Sequence, residues 1–268
     1  MASQYDNIGS KYEGFKALPT SIIEEANFKE SIEPWLAKFP NASVLDLACG
    51  TGYYSKKLLD WGAGYVLGID ASSGMVDVAK ESMRKDQAYI GKVDFKVGNA
   101  LALGDMGGDG PFQIVVGIWL LNYASNLEEM TSMYRTISTN LKDGGVFIVI
   151  TPPPADNVDT LAENWTKITA QYLKALPVWV NYYEKLESGQ GWKTEINSLT
   201  KGMQFSFRNF HLVKSLYEEA ARSGGLEGNL EWKEINIPER VATAQDELSK
   251  MCVQIRHMGV LAVEKKGA

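Results

Sequence analysis

The sequence predicts an open α/β fold in which helices cover both faces of a mostly parallel sheet. Strand-like and helix-like segments alternate between residues 43 and 151. The segment Ile114–Leu120 is apolar without alternation, as in a parallel strand that is buried on both faces. A glycine-rich turn follows the first strand and leads into a helix. This βαβαβ order implies right-handed crossovers, which place helices on both sides of the sheet.

Five short β-rich segments predict the first strands of this sheet. They are Ser43–Leu47, Tyr65–Ile69, Val93–Val97, Ile114–Leu120 and Gly145–Thr151. Residues 101–111 contain four glycines and are predicted to form a loop.

Helices are predicted between the strands from periodicity and capping residues. Ser125 with Glu128, and Ser21 with Glu24, have the spacing of capping boxes. The second of these predicts a helix ahead of the first strand that runs to about Trp35. The polar residues 1–19, which precede this helix, are expected to fray or to fold over a ligand.

The pattern changes after Pro154, where a cap inserted into the α/β domain is predicted. Nine of the 58 residues in 153–210 are aromatic, against 10% of the whole chain. This enrichment predicts either a second small core or an aromatic cap over a ligand. The predicted elements are a helix over 155–175, strands Val178–Leu186 and Gly202–Phe207, a helix His211–Ser223, and strands Asn229–Ile237 and Gly259–Lys265.

These segments predict one domain over residues 1–268 with four parts. An N-terminal lid and helix cover 1–36, a ligand-binding core covers 40–152, and the cap covers 153–210. A C-terminal helix and strands over 211–268 complete a sheet of seven strands.

Composition excludes several classes of function. The net charge is −6 and no run of basic residues exceeds a pair, which argues against nucleic-acid and anionic-membrane partners. Two cysteines and two histidines are too few for a disulfide framework or a typical zinc site. The first residues lack an apolar signal core, so a cytoplasmic protein is expected, as a monomer or weak dimer.

The segment Val44–Gly52 carries the chemistry of the predicted core. Glycines at 50 and 52 allow a sharp turn and a close approach of the backbone to a ligand. Asp70, at the end of the second strand, can accept hydrogen bonds from both ribose hydroxyls of a nucleoside. A dinucleotide-binding fold shares these features, but its Gly-x-Gly-x-x-Gly motif requires a glycine at the position that Ser55 occupies here. Asp46 also favours a ligand with a cationic tail over a pyrophosphate.

Asp46-Leu47-Ala48-Cys49-Gly50-Thr51-Gly52 together with Asp70-Ala71-Ser72 resembles the class I methyltransferases that use S-adenosylmethionine. The resemblance covers about residues 40–152 and implies their Rossmann-like fold. It implies that Asp46 and the 48–52 backbone hold the methionine end, that Asp70 holds the ribose, and that Asn99 meets the adenine. The cofactor-binding residues implied in this way are Tyr12, Asp46, Ala48, Cys49, Gly50, Gly52, Asp70, Ala71, Met75, Asn99, Ala100, Gly117, Ile118 and Trp119.

The acceptor site is expected above the glycine turn and under the aromatic cap. Many aromatic and few charged side chains favour a flat or apolar small molecule. No catalytic base is evident, and His211, at the predicted start of a helix, is the one candidate. Methyl transfer from an activated donor can proceed by alignment and desolvation without such a base. The predicted lining residues, which could instead only pack together, are Asn122, Tyr123, Trp165, Trp179, Tyr182, Phe205 and Phe207.

A finer resemblance concerns Tyr5–Phe15 and Leu120–Ala124, which are similar to segments of small-molecule methyltransferases of microbial secondary metabolism. That set includes toxoflavin-type N-methyltransferases and fungal enzymes that S-methylate reduced gliotoxin, a route of detoxification. A thiol acceptor fits the lack of a base, because a pKa of about 8.5 leaves some thiolate near neutrality. Nitrogen and oxygen acceptors stay open, as do a nicotinamide-dependent oxidoreductase and a non-catalytic regulator.

Overall fold

The structure is a computed structural model that describes residues 5, 16, 18–102, 104, 110–172, 178–198 and 204–267. Its strands are β1 (Ser43–Leu47), β2 (Tyr65–Asp70), β3 (Val93–Val97), β4 (Phe112–Ile118), β5 (Leu141–Thr151), β6 (Val178–Lys185), β7 (Gly191–Ser198), β8 (Phe205–Leu212), β9 (Leu230–Lys233) and β10 (Gly259–Glu264). Its helices are α1 (Pro19–Lys38), α2 (Tyr53–Asp60), α3 (Ser73–Arg84), α4 (Leu127–Asn140), α5 (Val158–Tyr172), α6 (Lys214–Ser223), α7 (Glu239–Ala242) and α8 (Glu247–Gln254).

Seven strands form one sheet in the order β3-β2-β1-β4-β5-β10-β9. Strands β1 to β5 are mutually parallel, and β10 pairs antiparallel with both β5 and β9. The predicted fold, a mostly parallel seven-stranded sheet of the Rossmann-like class, is confirmed. The strand order reverses between β1 and β4, so a crevice opens beyond the carboxyl ends of these strands, where ligands bind in such sheets.

Two apolar clusters cover the two faces of the sheet. One cluster packs against α1 and α2 and contains Val44 of β1 and Ile114 and Val116 of β4. Leu45 of β1 and Val115 of β4 contribute to the other, which packs against α4 and α6. The unbroken apolar run of β4 is explained by this burial on both faces.

The predicted cap contains a separate three-stranded antiparallel sheet in the order β6-β7-β8. Strand β7 was not predicted, because polar residues lie on both of its faces and leave no alternation to detect. The β8 ladder begins at Phe205 and continues to Leu212, beyond the predicted cap boundary at 210. Most of the predicted glycine loop at 101–111 lies outside the described residues, as do the first two positions of the strand predicted from Gly202.

Both predicted capping boxes are wrong in position. Helix α1 starts at Pro19 after Leu18, and Glu24 is a buried residue of its interior. Asn126 caps α4 through the backbone N–H of Glu129, 2.9 Å away. The Glu129 carboxylate in turn accepts a hydrogen bond from the backbone N–H of Ser125 at 2.7 Å. The N-cap of α1 therefore lies three residues before the predicted Ser21, and that of α4 lies one residue after the predicted Ser125.

The segment between β9 and β10 also differs from the prediction. The strand predicted over 229–237 is limited to β9, and the short helices α7 and α8 follow it. Helix α8 packs against α1 and α5 and contributes Met251 to the apolar cluster that packs against α1 and α2. Among the helices of the described chain, none is long and apolar enough to cross a lipid bilayer.

Candidate functional site

A cavity of about 440 Å³ opens at the carboxyl ends of β1, β2 and β4. It is called the donor cavity below. Nine of the residues that the sequence implied for cofactor binding line it: Ala48, Gly50, Asp70, Ala71, Met75, Asn99, Ala100, Ile118 and Trp119. The tertiary structure therefore places the segments that follow β1, β2, β3 and β4 around this one cavity.

The turn after β1 is shaped by three residues with left-handed backbone conformations. The φ angles are 59° at Ala48, 55° at Gly50 and 82° at Gly52. A Cβ at Gly52 would lie 3.0 Å from the Phe95 ring and 3.2 Å from the Ala79 methyl group. Glycine is required at 52 both by its backbone and by this contact, whereas Ala48 accepts a strained conformation beside the cavity.

Asp70 connects the glycine turn to the start of α3. One carboxylate oxygen accepts a hydrogen bond from the backbone N–H of Gly50 at 2.8 Å. The other accepts from the backbone N–H of Ser72, also at 2.8 Å. Both bonds orient the carboxylate at the cavity rim, so Asp70 would meet a ribose with little loss of side-chain freedom.

Asp46 lies behind the lining of the donor cavity and is 1% exposed. Its Oδ2 accepts a hydrogen bond from the Ser55 hydroxyl at 2.6 Å, and its Oδ1 has no hydrogen-bond partner among the described residues. Burial raises the pKa of this carboxyl to about 7. A buried carboxylate with one unpaired oxygen fits a cationic ligand group, such as the amino group of the methionine end of S-adenosylmethionine.

Other residues implied for cofactor binding do not line the cavity. Cys49 packs its side chain against Phe95 in a small core, and Gly52 and Gly117 are not among the residues that line the cavity. Tyr12 lies outside the described residues. Tyr5, in the segment expected to fray or to fold over a ligand, was not among the implied cofactor-binding residues but lines the donor cavity, where its hydroxyl is hydrogen-bonded to that of Tyr123.

A second cavity of about 150 Å³ lies between the core and the cap, and is called the acceptor cavity below. The predicted acceptor residues that line it are Asn122, Tyr123, Trp165, Trp179, Tyr182 and Phe207. Phe205 does not line it but stacks on Phe207, with ring centroids 6.3 Å apart. The lining is mostly apolar and aromatic, which suits a small ring-containing molecule.

Trp119 and Tyr123 line both cavities and form the wall between them. Trp119 has a φ of 61°, and its backbone N–H donates to the carbonyl of Ile150 at 3.0 Å. The indole N–H donates to Glu24 at 3.3 Å. A strained residue held at two points is typical of a functional position, and here it separates the two cavities.

His211 does not begin a helix, as the sequence had suggested, but lies in β8 and is 1% exposed. Its Nε2 donates to the carbonyl of Pro153 at 2.8 Å, so its Nδ1 accepts from the Tyr182 hydroxyl at 2.8 Å. Burial lowers the pKa of His211 to about 4. Both ring nitrogens are used, so this neutral histidine positions Tyr182 in the acceptor cavity.

Sequence reasoning missed two ionisable residues of the acceptor cavity, Glu24 and His257. Each side chain is 9% exposed, and His257 Nε2 lies 3.9 Å from Glu24 Oε1. Burial raises the pKa of Glu24 and lowers that of His257 to about 4. No sequence signal could have paired residues so far apart in the chain, and Glu24 had been assigned to a helix cap.

Comparison with known proteins agrees with this geometry. Residues 44–145 match a family model described as a methyltransferase domain. This segment contains the glycine turn, Asp70 and β4. The match and the fold together support a class I methyltransferase, and they imply S-adenosylmethionine as its cofactor.

Three proteins illustrate the relationships. The chain is 34% identical over 126 residues to the mitochondrial ubiquinone biosynthesis O-methyltransferase of Saccharomyces cerevisiae, covering 46% of this chain and 38% of that protein. It is 27% identical over 228 residues to a demethylmenaquinone methyltransferase of Lactiplantibacillus plantarum, covering 82% and 93%. An S-adenosylmethionine-dependent methyltransferase structure from Clostridium acetobutylicum superposes with a TM-score of 0.61 at 15% identity, covering 96% of this chain and 98% of that one.

Most of the curated relatives are matched over only part of their length. The chain spans 62% of an uncharacterised Haemophilus influenzae protein and about half of several others. The structural likeness, at identities below 25%, concerns the fold.

Proposed function

We propose that this protein transfers a methyl group from S-adenosylmethionine to a small apolar or aromatic acceptor. The observation that carries the proposal is the pair of adjoining cavities with a common wall of Trp119 and Tyr123. One cavity has the glycine turn and Asp70 of a nucleoside site, and the other has an aromatic lining.

The residues of the donor cavity fit the proposed cofactor. Asp70 would hold the ribose, Met75 and Asn99 would flank the adenine, and Asp46 would neutralise the amino group of the methionine end. When bound, S-adenosylmethionine supplies a methyl group on a sulfonium, which is already activated for displacement. The chain then needs to align the acceptor at the Trp119 wall and to exclude water from both cavities.

The acceptor atom is the finer part of the proposal. The sulfur of a reduced epidithiodiketopiperazine, such as gliotoxin dithiol, is supported by the resemblance of the Tyr5–Phe15 and Leu120–Ala124 segments. A quinone-type acceptor is suggested instead by relatives named for ubiquinone and demethylmenaquinone. The acceptor cavity suits rings of either kind, and we propose that the protein acts on such a molecule as a monomer or weak dimer in the cytoplasm.

One assay tests both parts. The protein is incubated with S-adenosylmethionine and gliotoxin dithiol, a toxoflavin-type azapteridine, a phenol or a demethylated quinol, and mass spectrometry detects added methyl groups. Methyl groups on the dithiol alone would support the sulfur acceptor, and methyl groups on the quinol would support the quinone-type alternative. Binding of S-adenosylhomocysteine without methyl transfer to any of them would contradict the proposed acceptor class.

A further inference from the structure

Glu24 of α1 and His257, in the connection between α8 and β10, form a buried pair at the acceptor cavity. Their closest atoms, His257 Nε2 and Glu24 Oε1, are 3.9 Å apart, too far for a direct hydrogen bond. His257 Nε2 is buried and has no hydrogen-bond partner among the described residues. A buried nitrogen without a partner is costly, so its position at a ligand cavity requires an explanation.

The other groups around the pair fix its orientation. The backbone of Thr20 raises the pKa of His257 against the lowering effect of burial. A neutral imidazole has a lone pair on one ring nitrogen, and Nε2 is the nitrogen without a hydrogen-bond partner among the described residues. Nε2 can therefore accept a proton from a molecule in the cavity.

Glu24 is held from several elements. The indole of Trp119 donates to its carboxylate at 3.3 Å, and the Tyr54 hydroxyl of α2 and the charge of Lys16 lower its pKa against the effect of burial. Burial raises the pKa of the Cys252 thiol of α8, and the charges of Asp246 and Glu24 raise it further. These contacts keep the carboxylate beside His257 and at the wall shared with the donor cavity.

We propose that His257 accepts the proton of the methyl acceptor and that Glu24 stabilises the imidazolium that results. The acceptor class is therefore a hydroxyl or thiol carried on an aromatic or apolar ring, rather than an atom without an ionisable proton. This inference rests on the proposed methyl transfer and deepens it.

The O–H or S–H bond of the acceptor breaks and its proton moves to His257 Nε2. The electron pair left on oxygen or sulfur forms the bond to the methyl carbon, while the pair of the broken carbon–sulfur bond stays with the donor sulfur. The new positive charge on His257 faces Glu24 in a site with little water, where their attraction is strong.

The experiment uses 2-naphthol, 2-thionaphthol and their O- and S-methyl derivatives as probes, with the full-length protein saturated with S-adenosylhomocysteine. Calorimetry gives the affinity of each probe. We expect at least one proton-bearing probe to bind about tenfold more tightly than its methylated form, the worth of one buried hydrogen bond. His257→Leu should abolish this preference, and Tyr183→Leu, at an exposed residue that does not line the cavity, should retain it.

A second readout uses the fact that the chain has two histidines. In ¹⁵N NMR spectra of the imidazoles, the preferred probe should shift the Nε2 signal of His257 and its methylated form should not. An equal affinity of each probe and its methylated form, including no binding of either, would overturn the inference, as would a preference that survives in His257→Leu. A variant that binds S-adenosylhomocysteine with unchanged affinity is folded. If the wild-type protein does not bind S-adenosylhomocysteine, the proposed function itself is contradicted.

Discussion

Asp46 and Asp70, both implied as cofactor contacts, lie in different environments. Asp70 is at the rim of the donor cavity, where two backbone N–H groups fix its carboxylate. Asp46 is buried behind the turn, with one oxygen unpaired among the residues that the structure describes. Their positions in the sequence predicted both as ligand contacts. Their burial, and the pKa of Asp46 that follows from it, depend on residues distant in sequence that surround them.

Replacing Asp70 with alanine should weaken binding of S-adenosylhomocysteine by at least tenfold. The variant loses a charged acceptor for the ribose, and charged hydrogen bonds are worth about 1.5–3 kcal/mol each. Isothermal titration calorimetry measures the change, and Asp77→Ala, an exposed aspartate of α3 outside the cavity, is the control. Unchanged affinity in Asp70→Ala, with native thermal unfolding, would place the donor site elsewhere.

The environment of Asp46 predicts a pH-dependent stability. Its folded pKa of about 7 is above the ordinary value of 3.8, so the folded state opposes its ionisation. The stability linked to this group is present at low pH and is lost as the pH rises toward and through 7. Asp46→Asn should therefore gain on the order of 2 kcal/mol relative to the wild type between pH 5 and pH 8 without ligand.

Urea unfolding of the two proteins at both pH values measures this difference. Asp94→Asn, at an exposed position of β3, is the control. A difference between wild type and Asp46→Asn that is the same at pH 5 and pH 8 would contradict the predicted ionisation.

The turn between β1 and α2 shows how one element positions the site. Gly52 is the N-cap of α2 in a left-handed conformation, and its backbone N–H donates to the carbonyl of Cys49 at 3.0 Å. The Phe95 ring of β3 closes the space where a side chain would lie. The glycine pattern predicted the turn from sequence, whereas the contact with Phe95 is a property of the assembled sheet.

Gly52→Ala should lower the free energy of unfolding by about 2–3 kcal/mol, since a left-handed alanine costs about 1–2 kcal/mol and its Cβ also meets Phe95. Gly91→Ala is the matched control, because its φ of 76° is similar and a Cβ at this position would have no atom within 4 Å. That variant should lose about 1 kcal/mol. Equal losses in urea unfolding would show that the Phe95 contact is unimportant.

The segment around His211 shows how neighbouring elements compete for the same residues. The sequence predicted a helix from His211, because Leu212, Leu216 and Ala220 have helical spacing. In the structure His211 and Leu212 end β8, and the helix begins at Lys214. The β7 partner that extends β8 had no detectable pattern, so local periodicity could not place this boundary.

The arrangement of the whole molecule separates donor and acceptor sites. The seven-stranded sheet supplies the donor cavity, while α1, α8 and the cap sheet supply most of the acceptor cavity. Because Trp119 and Tyr123 are the shared wall, changes in the cap should alter acceptor binding without altering donor binding.

Trp179→Ala in β6 tests this separation. Loss of one aromatic wall should raise the KM for the acceptor at least tenfold, since burying such a side chain is worth about 1.5–3 kcal/mol. The affinity for S-adenosylhomocysteine should not change. Tyr183→Ala is the control on the same strand, because Tyr183 is 40% exposed and does not line the cavity. A parallel loss of donor affinity in Trp179→Ala would contradict two separable sites.

The sequence was sufficient to predict the sheet, the glycine turn, Asp70 and most of the aromatic lining. These features depend on local signals: β-rich segments, glycines that permit left-handed backbone, and a carboxylate at a strand end. The four chain segments of the donor cavity follow from them, because parallel strands place their carboxyl ends at one edge.

Tertiary structure decided the rest. Glu24 and His257 belong to one cavity because α8 packs against α1, and nothing in either local sequence indicates that contact. Burial is the main reason why His211 is neutral and Asp46 resists ionisation. These properties arise from the exclusion of water by elements distant in sequence, so they depend on how the chain packs and not on the pattern of any one segment.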